Sequence, residues 1–190
     1  MKLLRTDLEG VVIIEPTLFG DARGYFFESY SQRDFDAQVR PVRFVQDNES
    51  RSDYGVLRGL HFQRGRHAQS KLVRVVEGTI LDVAVDLRRG SPTFGRHAAV
   101  ELSAENKRQL FIPRGFAHGF AVLSTAATVQ YKCDNLYAPE SEGGVAWNDP
   151  ALGIDWRLDA AAVRLSERDG RHPLLAEAGE LFDYNTDYYA

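Results

Sequence analysis

The chain has 190 residues, 44% hydrophobic and 26% charged, a globular balance that excludes disordered, collagen-like and low-complexity classes. Its net charge of −4 excludes a protein that coats nucleic acid, which needs a basic face. A lone cysteine, Cys133, closes no internal disulfide, and neither a signal-peptide core nor an 18-residue apolar run is present, so a soluble cytoplasmic protein is expected. In chain order, VVIIEP (11–16) and YFFESY (25–30) read as strands, and Ser31 caps a short helix over QRDFDAQV. Further strands are VRFVQDNES (42–50), VLRGLHFQ (56–63), KLVRVVEG (71–78) and TILDVAVDL (79–87), with a tight hairpin predicted at Gly78-Thr79. HAAVELS (97–103), QLFIP (109–113), HGFAVLS (118–124) and ATVQYKC (127–133) complete the set, and a second short helix is expected near Pro173 to Leu181. Short strands at this spacing, without repeat or linker, predict a sandwich or jelly-roll barrel. One domain over 1–190 is expected, with the tail from about 173 peripheral.

The alternation carries functional information. In TILDVAVDL, Leu81, Val83, Val85 and Leu87 share one face, and Asp82, Ala84 and Asp86 the other. Lys71 shares a face with Val73 and Val75, His118 with Phe120 and Val122, and Tyr131 with Val129 and Cys133. An ionisable group among inward apolar neighbours is costly unless paired or used. Several on neighbouring strands point to a polar pocket inside a small barrel.

Two motifs stand out. In Arg58-Gly59-Leu60-His61, residues 58 and 61 fall on opposite faces of an ideal strand, but Gly59 permits a bulge that re-aims one of them. In Ile112-Pro113-Arg114-Gly115-Phe116-Ala117-His118, a Pro-x-Gly turn feeds a strand that opens on an imidazole. The second motif is similar to the metal-binding second motif of cupins, yet a metal needs more ligands. The position of the first cupin motif reads His61-Phe62-Gln63, and His67, His97 and His172 lie in Arg-rich contexts read as exposed. Ligand counting therefore argues against a metal. No Gly-rich loop opens a helix and no G-x-S-x-G elbow exists. The remaining tools, His, Tyr, Lys and carboxylates, suit acid–base chemistry.

The chain resembles the dTDP-4-dehydrorhamnose 3,5-epimerases of the RmlC type. The likeness runs through DARGYFFE (21–28), QDNES (46–50), VLRGLHFQ, DVAVDLRRGSPTFG (82–95), IPRGFAHGF (112–120), Tyr131-Lys132-Cys133, YAPESEGG (137–144), WNDPALGIDW (147–156) and LSERD (165–169). The resemblance implies an all-β, cupin-like jelly-roll barrel with a few short peripheral helices. It implies epimerisation at C3 and C5 of a dTDP-4-keto-6-deoxyhexose, with no cofactor and no metal. His61 matches the general base, Asp169 its dyad partner, Tyr131 the acid of the opposite face and Lys71 the residue near the ketone. Arg23, Glu28, Gln46, Asn48, Arg58, His118, Glu142 and Arg168 match binding positions for the dTDP-sugar, and Tyr137 matches the aromatic that stacks on thymine. It further implies a homodimer whose N-terminal strands cross to the partner, and no nucleic-acid or membrane partner is expected.

These types fit the chemistry on physical grounds. A neutral imidazole is a suitable base at cytosolic pH, a carboxylate fixes its tautomer, and a lysine acts where enolate charge appears. A tyrosine donates from the far face once a neighbouring cation such as a lysine lowers its pKa. Plainer readings stand beside these. Arg23 and Glu28 form a surface ion pair, Tyr137 is an ordinary loop aromatic, Asp86 is structural, and Trp147 and Trp156 pack. The competing functions are a C3-only or C5-only epimerase, a metal-dependent cupin oxygenase, and a non-catalytic sugar-nucleotide binding module.

Overall fold

A computed structural model describes residues 1–190. Its first strands are β1 (Lys2–Arg5), β2 (Val12–Glu15), β3 (Phe19–Asp21) and β4 (Gly24–Phe26), followed by the helix α1 (Gln32–Gln38). Then come β5 (Gln46–Asp53), β6 (Leu57–Gln63), β7 (Lys71–Glu77), β8 (Thr79–Asp86) and β9 (Arg88–Arg89). The rest are β10 (His97–Ser103), β11 (Gln109–Ile112), β12 (Phe116–Val122), β13 (Ala126–Cys133), β14 (Glu142–Gly144) and β15 (Phe182–Asp183). A six-stranded sheet runs β1-β2-β11-β7-β13-β5, and a five-stranded sheet runs β10-β8-β12-β6-β14. The two face each other as an all-β, cupin-like jelly-roll barrel, with short 3₁₀ turns at its edge.

Three apolar layers follow from the alternation. The barrel interior joins Val73, Val75 and Val129 of the six-stranded sheet to Ile80, Ala84, Phe120 and Val122 of the five-stranded one. On the outer face of the five-stranded sheet, Leu57, Leu81, Val83, Val85 and Ala121 are covered by Trp156, Leu175 and Phe182 from the C-terminal segment. On the outer face of the six-stranded sheet, Ile14, Leu72 and Phe111 are covered by Phe35 of α1 and by Val42. Strand β8 is therefore buried on both sides. Each fully buried leucine of this kind contributes about 1.5–3 kcal/mol.

Ser31 caps α1 as the sequence predicts, accepting from the Asp34 N–H. The tight hairpin at Gly78-Thr79 is not formed. Strand β7 belongs to one sheet and β8 to the other, so Gly78 is a corner between sheets. At φ +76° it approaches the Ala126 carbonyl so closely that a Cβ would lie 2.0 Å from that oxygen. Near Pro173–Leu181 only one 3₁₀ turn forms, Leu175–Glu177. Strand β5 begins at Gln46, where pairing with β13 begins, so residues 42–45 lie outside it. YFFESY is strand only at its start, because its sole neighbour is the three-residue β3. The tail docks on the barrel: the Tyr189 hydroxyl lies 2.6 Å from Ser70 Oγ and accepts from the Arg114 N–H at 3.0 Å.

Candidate active site

The bulge that Gly59 permits is present. Against β12, His61 pairs with His118 and Arg58 with Phe120, so three steps on β6 match two on its neighbour. Arg58 and His61 therefore open onto the same cavity. Gly59 has φ +124°, and an added Cβ would lie 2.6 Å from Gly119 Cα and 2.8 Å from the His118 carbonyl oxygen. Only glycine fits where the two strands touch.

Asp169 reaches His61 by a strap. Leu57 N–H donates to the Arg164 carbonyl at 3.0 Å, and Arg164 N–H donates to the Gly55 carbonyl at 2.8 Å. These bonds lay the LSERD segment beside β6, and Ser166 Oγ accepts from the Asp169 N–H at 3.1 Å. The result is His61 Nε2 at 2.6 Å from Asp169 Oδ1. Burial pushes Asp169 up, but the His61 hydrogen bond and charge, with Ser166 and the Gly59 backbone, hold its carboxyl below the usual range. With the carboxylate on Nε2, the lone pair of neutral His61 sits on Nδ1.

A second His–Asp pair lies deeper. His118 Nε2 is 2.6 Å from Asp82 Oδ1, and both residues are buried. Burial, helped by the charges of Lys71 and His61, pushes His118 below its ordinary value despite Asp82. Across the barrel, Lys71 on β7 and Tyr131 on β13 line the same cavity from the six-stranded sheet. Burial pushes Lys71 down, countered by Cys133, Asp82 and Glu142. Tyr131 is pushed up, by burial first and then by Cys133 and Glu142, while Arg58 opposes. The expected net lowering of the tyrosine pKa by a neighbouring cation is thus not found. The cation acting on the phenol is Arg58, burial outweighs it, and Tyr131 holds its proton.

The cavity holds about 470 Å³ and shares His61, Lys71 and Tyr131 as walls with a neighbouring recess of about 320 Å³. The recess is lined by Gln46, Asn48, Tyr137 and Glu142, with Gln63 and Gln69 beside them. Gln46 Nε2 donates to Asn48 Oδ1 at 3.0 Å, and Gln46 Oε1 accepts from the Tyr137 N–H at 3.0 Å. The Tyr137 hydroxyl donates to Glu142 at 2.6 Å, and Arg168 pairs with the same carboxylate. Burial pushes Glu142 up, but Arg168 and Tyr137 more than reverse this, and it is depressed overall. Arg58 and Arg168 stand at the cavity's edge, Arg58 held to Ser52 Oγ at 3.0 Å.

Of the residues singled out in the sequence, His61, Lys71, Arg58, His118, Tyr131, Arg168 and Asp169 share the main cavity. Gln46, Asn48, Tyr137 and Glu142 share the recess. Arg23 and Glu28 reach neither. They do not pair with each other, because Arg23 takes Asp21 at 2.5 Å on an exposed hairpin. Asp86 is structural, ringed by Arg88, Ser91 and Thr93. Trp156 packs in the core, its indole N–H donating to the Trp147 carbonyl at 2.8 Å. His172 is a correction: its imidazole is not solvent-facing but mostly covered, edge-on to His61 with ring centroids 5.4 Å apart. Sequence reasoning also missed Arg164 and Ser166 in the cavity wall. No local periodicity marks that segment.

Comparison with known proteins gives a consistent result. The family model described as dTDP-4-dehydrorhamnose 3,5-epimerase matches residues 5–177. The chain is 57% identical to the dTDP-4-dehydrorhamnose 3,5-epimerase of Pseudomonas aeruginosa, over 94% of this chain and 98% of that one. It is 55% identical to the Salmonella typhimurium enzyme of the same name, over 94% and 97%. Among solved structures it is similar to a dTDP-6-deoxy-D-glucose-3,5-epimerase from Legionella pneumophila, in complex with dTDP-4-keto-L-rhamnose. The TM-score is 0.93 at 48% identity, covering 97% of this chain and 99% of that one.

Proposed function

The chain belongs to the dTDP-4-dehydrorhamnose 3,5-epimerase family, and we propose that it is the isomerase that inverts C3 and C5 of a dTDP-4-keto-6-deoxyhexose, converting dTDP-4-dehydro-6-deoxyglucose to dTDP-4-dehydrorhamnose. The observation that carries this reading is the presence of His61 and Tyr131 on opposing sheets around one cavity, with Lys71 lining it too.

Both carbons are α to the C4 ketone, so one oxyanion position serves both inversions. His61 Nδ1 removes the α-proton, and Asp169 stabilises the imidazolium that forms. Enolate charge develops on the C4 oxygen and is met by the Lys71 ammonium, whose partial desolvation strengthens the attraction. Tyr131, which burial keeps protonated, delivers a proton to the opposite face. Proton exchange with solvent then returns His61 and Tyr131 to their starting states. Placement of such a base is worth about 10²–10⁴-fold, and no step requires a cofactor.

The remaining residues hold the substrate. Tyr137 offers its ring to thymine, with Gln46, Asn48 and Glu142 at the base edges. Arg58 and Arg168 answer the diphosphate, and His118, held by Asp82, bounds the sugar. Arg23 and Glu28 serve a second copy of the chain. The hairpin that carries Arg23 exposes Phe19, Tyr25 and Phe26, an apolar patch suited to an interface. The working unit is then a homodimer in the cytoplasm whose ligand is a nucleotide-sugar, with no nucleic-acid or membrane partner.

Incubation with dTDP-4-keto-6-deoxyglucose in D₂O, followed by NMR, tests the reading. Deuterium at both C3 and C5 with inversion supports it. Exchange at one carbon alone identifies a mono-epimerase, and tight binding without exchange identifies a binding module.

A further inference from the structure

The His172 imidazole has no part in the epimerisation just described. Its Nε2 is buried without a hydrogen-bond partner and lies 3.6 Å from Asp169 Oδ1. On one side the ring rests on the backbone of Gly144, where an added Cβ would lie 2.3 Å from its atoms. The ligand atoms of His61, Asp169 and His172 all lie within 4.8 Å of one another.

We propose that His61, Asp169 and His172 form a binding site for a divalent transition ion of the zinc class, and that occupation silences the epimerase. Two imidazole nitrogens and one carboxylate with an open fourth position suit zinc and its neighbours, whereas magnesium and calcium demand oxygen donors. Bonds of about 2.0–2.1 Å to a tetrahedral ion place its ligand atoms roughly 3.3 Å apart. The two separations to Asp169 Oδ1, 2.6 and 3.6 Å, bracket that value. The orphaned Nε2 of His172 gains the partner it lacks.

Silencing follows from the tautomer. When the ion takes His61 Nε2, the ring's single proton resides on Nδ1. The nitrogen turned to the sugar then carries a hydrogen where catalysis needs a lone pair, and no net proton is gained or lost by the ring. This consequence rests on His61 being the base; the binding does not.

The test uses the full-length protein, freed of metal by chelation and dialysis. Zinc is titrated calorimetrically and cobalt(II) by visible absorption, for the wild type and for His172→Gln and His172→Asn. One ion per chain is expected, bound more than about tenfold more weakly by the folded variants. Wild-type turnover should fall in step with occupancy and return on adding EDTA, while the variants keep turning over at the zinc level that stops the wild type. Absence of stoichiometric binding, or binding undiminished in both variants, overturns the site. Full turnover by the zinc-loaded wild type overturns the silencing alone; loss or retention of solvent exchange in His61→Asn tests His61 as base separately.

Discussion

His61 and His118 stand opposite each other on adjacent antiparallel strands, and each has a carboxylate oxygen 2.6 Å from its Nε2. Their surroundings separate their tasks. The His61 side chain is 28% exposed, whereas that of His118 is 7% exposed above a fully buried Asp82. Of the two imidazoles, His61 is the one open to water. His118 is held neutral in the wall.

This difference predicts distinct kinetics. Asp169→Asn keeps the shape of the dyad but loses the charge that fixes the tautomer and stabilises the imidazolium, so kcat should fall about 10²–10⁴-fold with little change in KM. His118→Asn should raise KM by a larger factor than it lowers kcat. Steady-state kinetics on the two variants checks both.

The recess makes a second kinetic prediction. Tyr137→Ala removes a stacking face worth about 1–3 kcal/mol, so KM should rise roughly 5–150-fold with kcat nearly unchanged. Tyr137→Phe keeps the face and loses only the hydroxyl that donates to Glu142, so its KM should lie close to that of the wild type.

Asp86 predicts a stability effect without a catalytic one. Burial pushes its carboxyl up, but Arg88, Ser91 and Thr93 outweigh this and leave it depressed. A depressed carboxylate stabilises the fold above its unfolded value near pH 4 and loses that contribution as pH falls through the folded value. The wild-type Tm should therefore be insensitive to this group from neutrality to about pH 4 and fall below it. Asp86→Ala leaves Arg88 unpaired at a cost of about 3–5 kcal/mol, a Tm loss on the order of 10 °C at pH 7. Its acid slope should be shallower, and turnover per folded molecule should be preserved.

Arg23 predicts complementation. Sedimentation should show a particle of twice the 21.4 kDa chain. Arg23→Ala and His61→Asn are each expected to be impaired. Mixed by unfolding and refolding together, they should regain activity, because half of the hybrid's sites carry neither change. A monomer in sedimentation, or no recovery in the mixture, would remove Arg23 from a shared site.

Much of the site was legible in the alternation of short strands. Lys71, His118 and Tyr131 interrupt apolar faces, and those faces turn inward together. The fold class follows from the same pattern, and the ordered family motifs sharpened it. What escaped depends on contacts distant in sequence. Gly59 signalled a bulge, but its position became definite only against Gly119. Gly78 looks like a hairpin residue because a sheet corner and a hairpin need the same positive φ. His172 follows an arginine, a solvent-facing pattern, yet the strap through Arg164 folds it under the dyad. Arg23 carries no local sign of lying outside the cavity formed by its own chain.

The division of labour between His61 and Tyr131 is tested most directly by exchange in D₂O with each partner disabled. With Tyr131→Phe, the sugar's C5 hydrogen should wash out into solvent while inversion falls by orders of magnitude, because the base remains and the opposite-face acid is gone. With His61→Asn, neither washout nor inversion should proceed. Washout at the wild-type rate in His61→Asn, or unimpaired inversion in Tyr131→Phe, would contradict a base on one wall and an acid on the other.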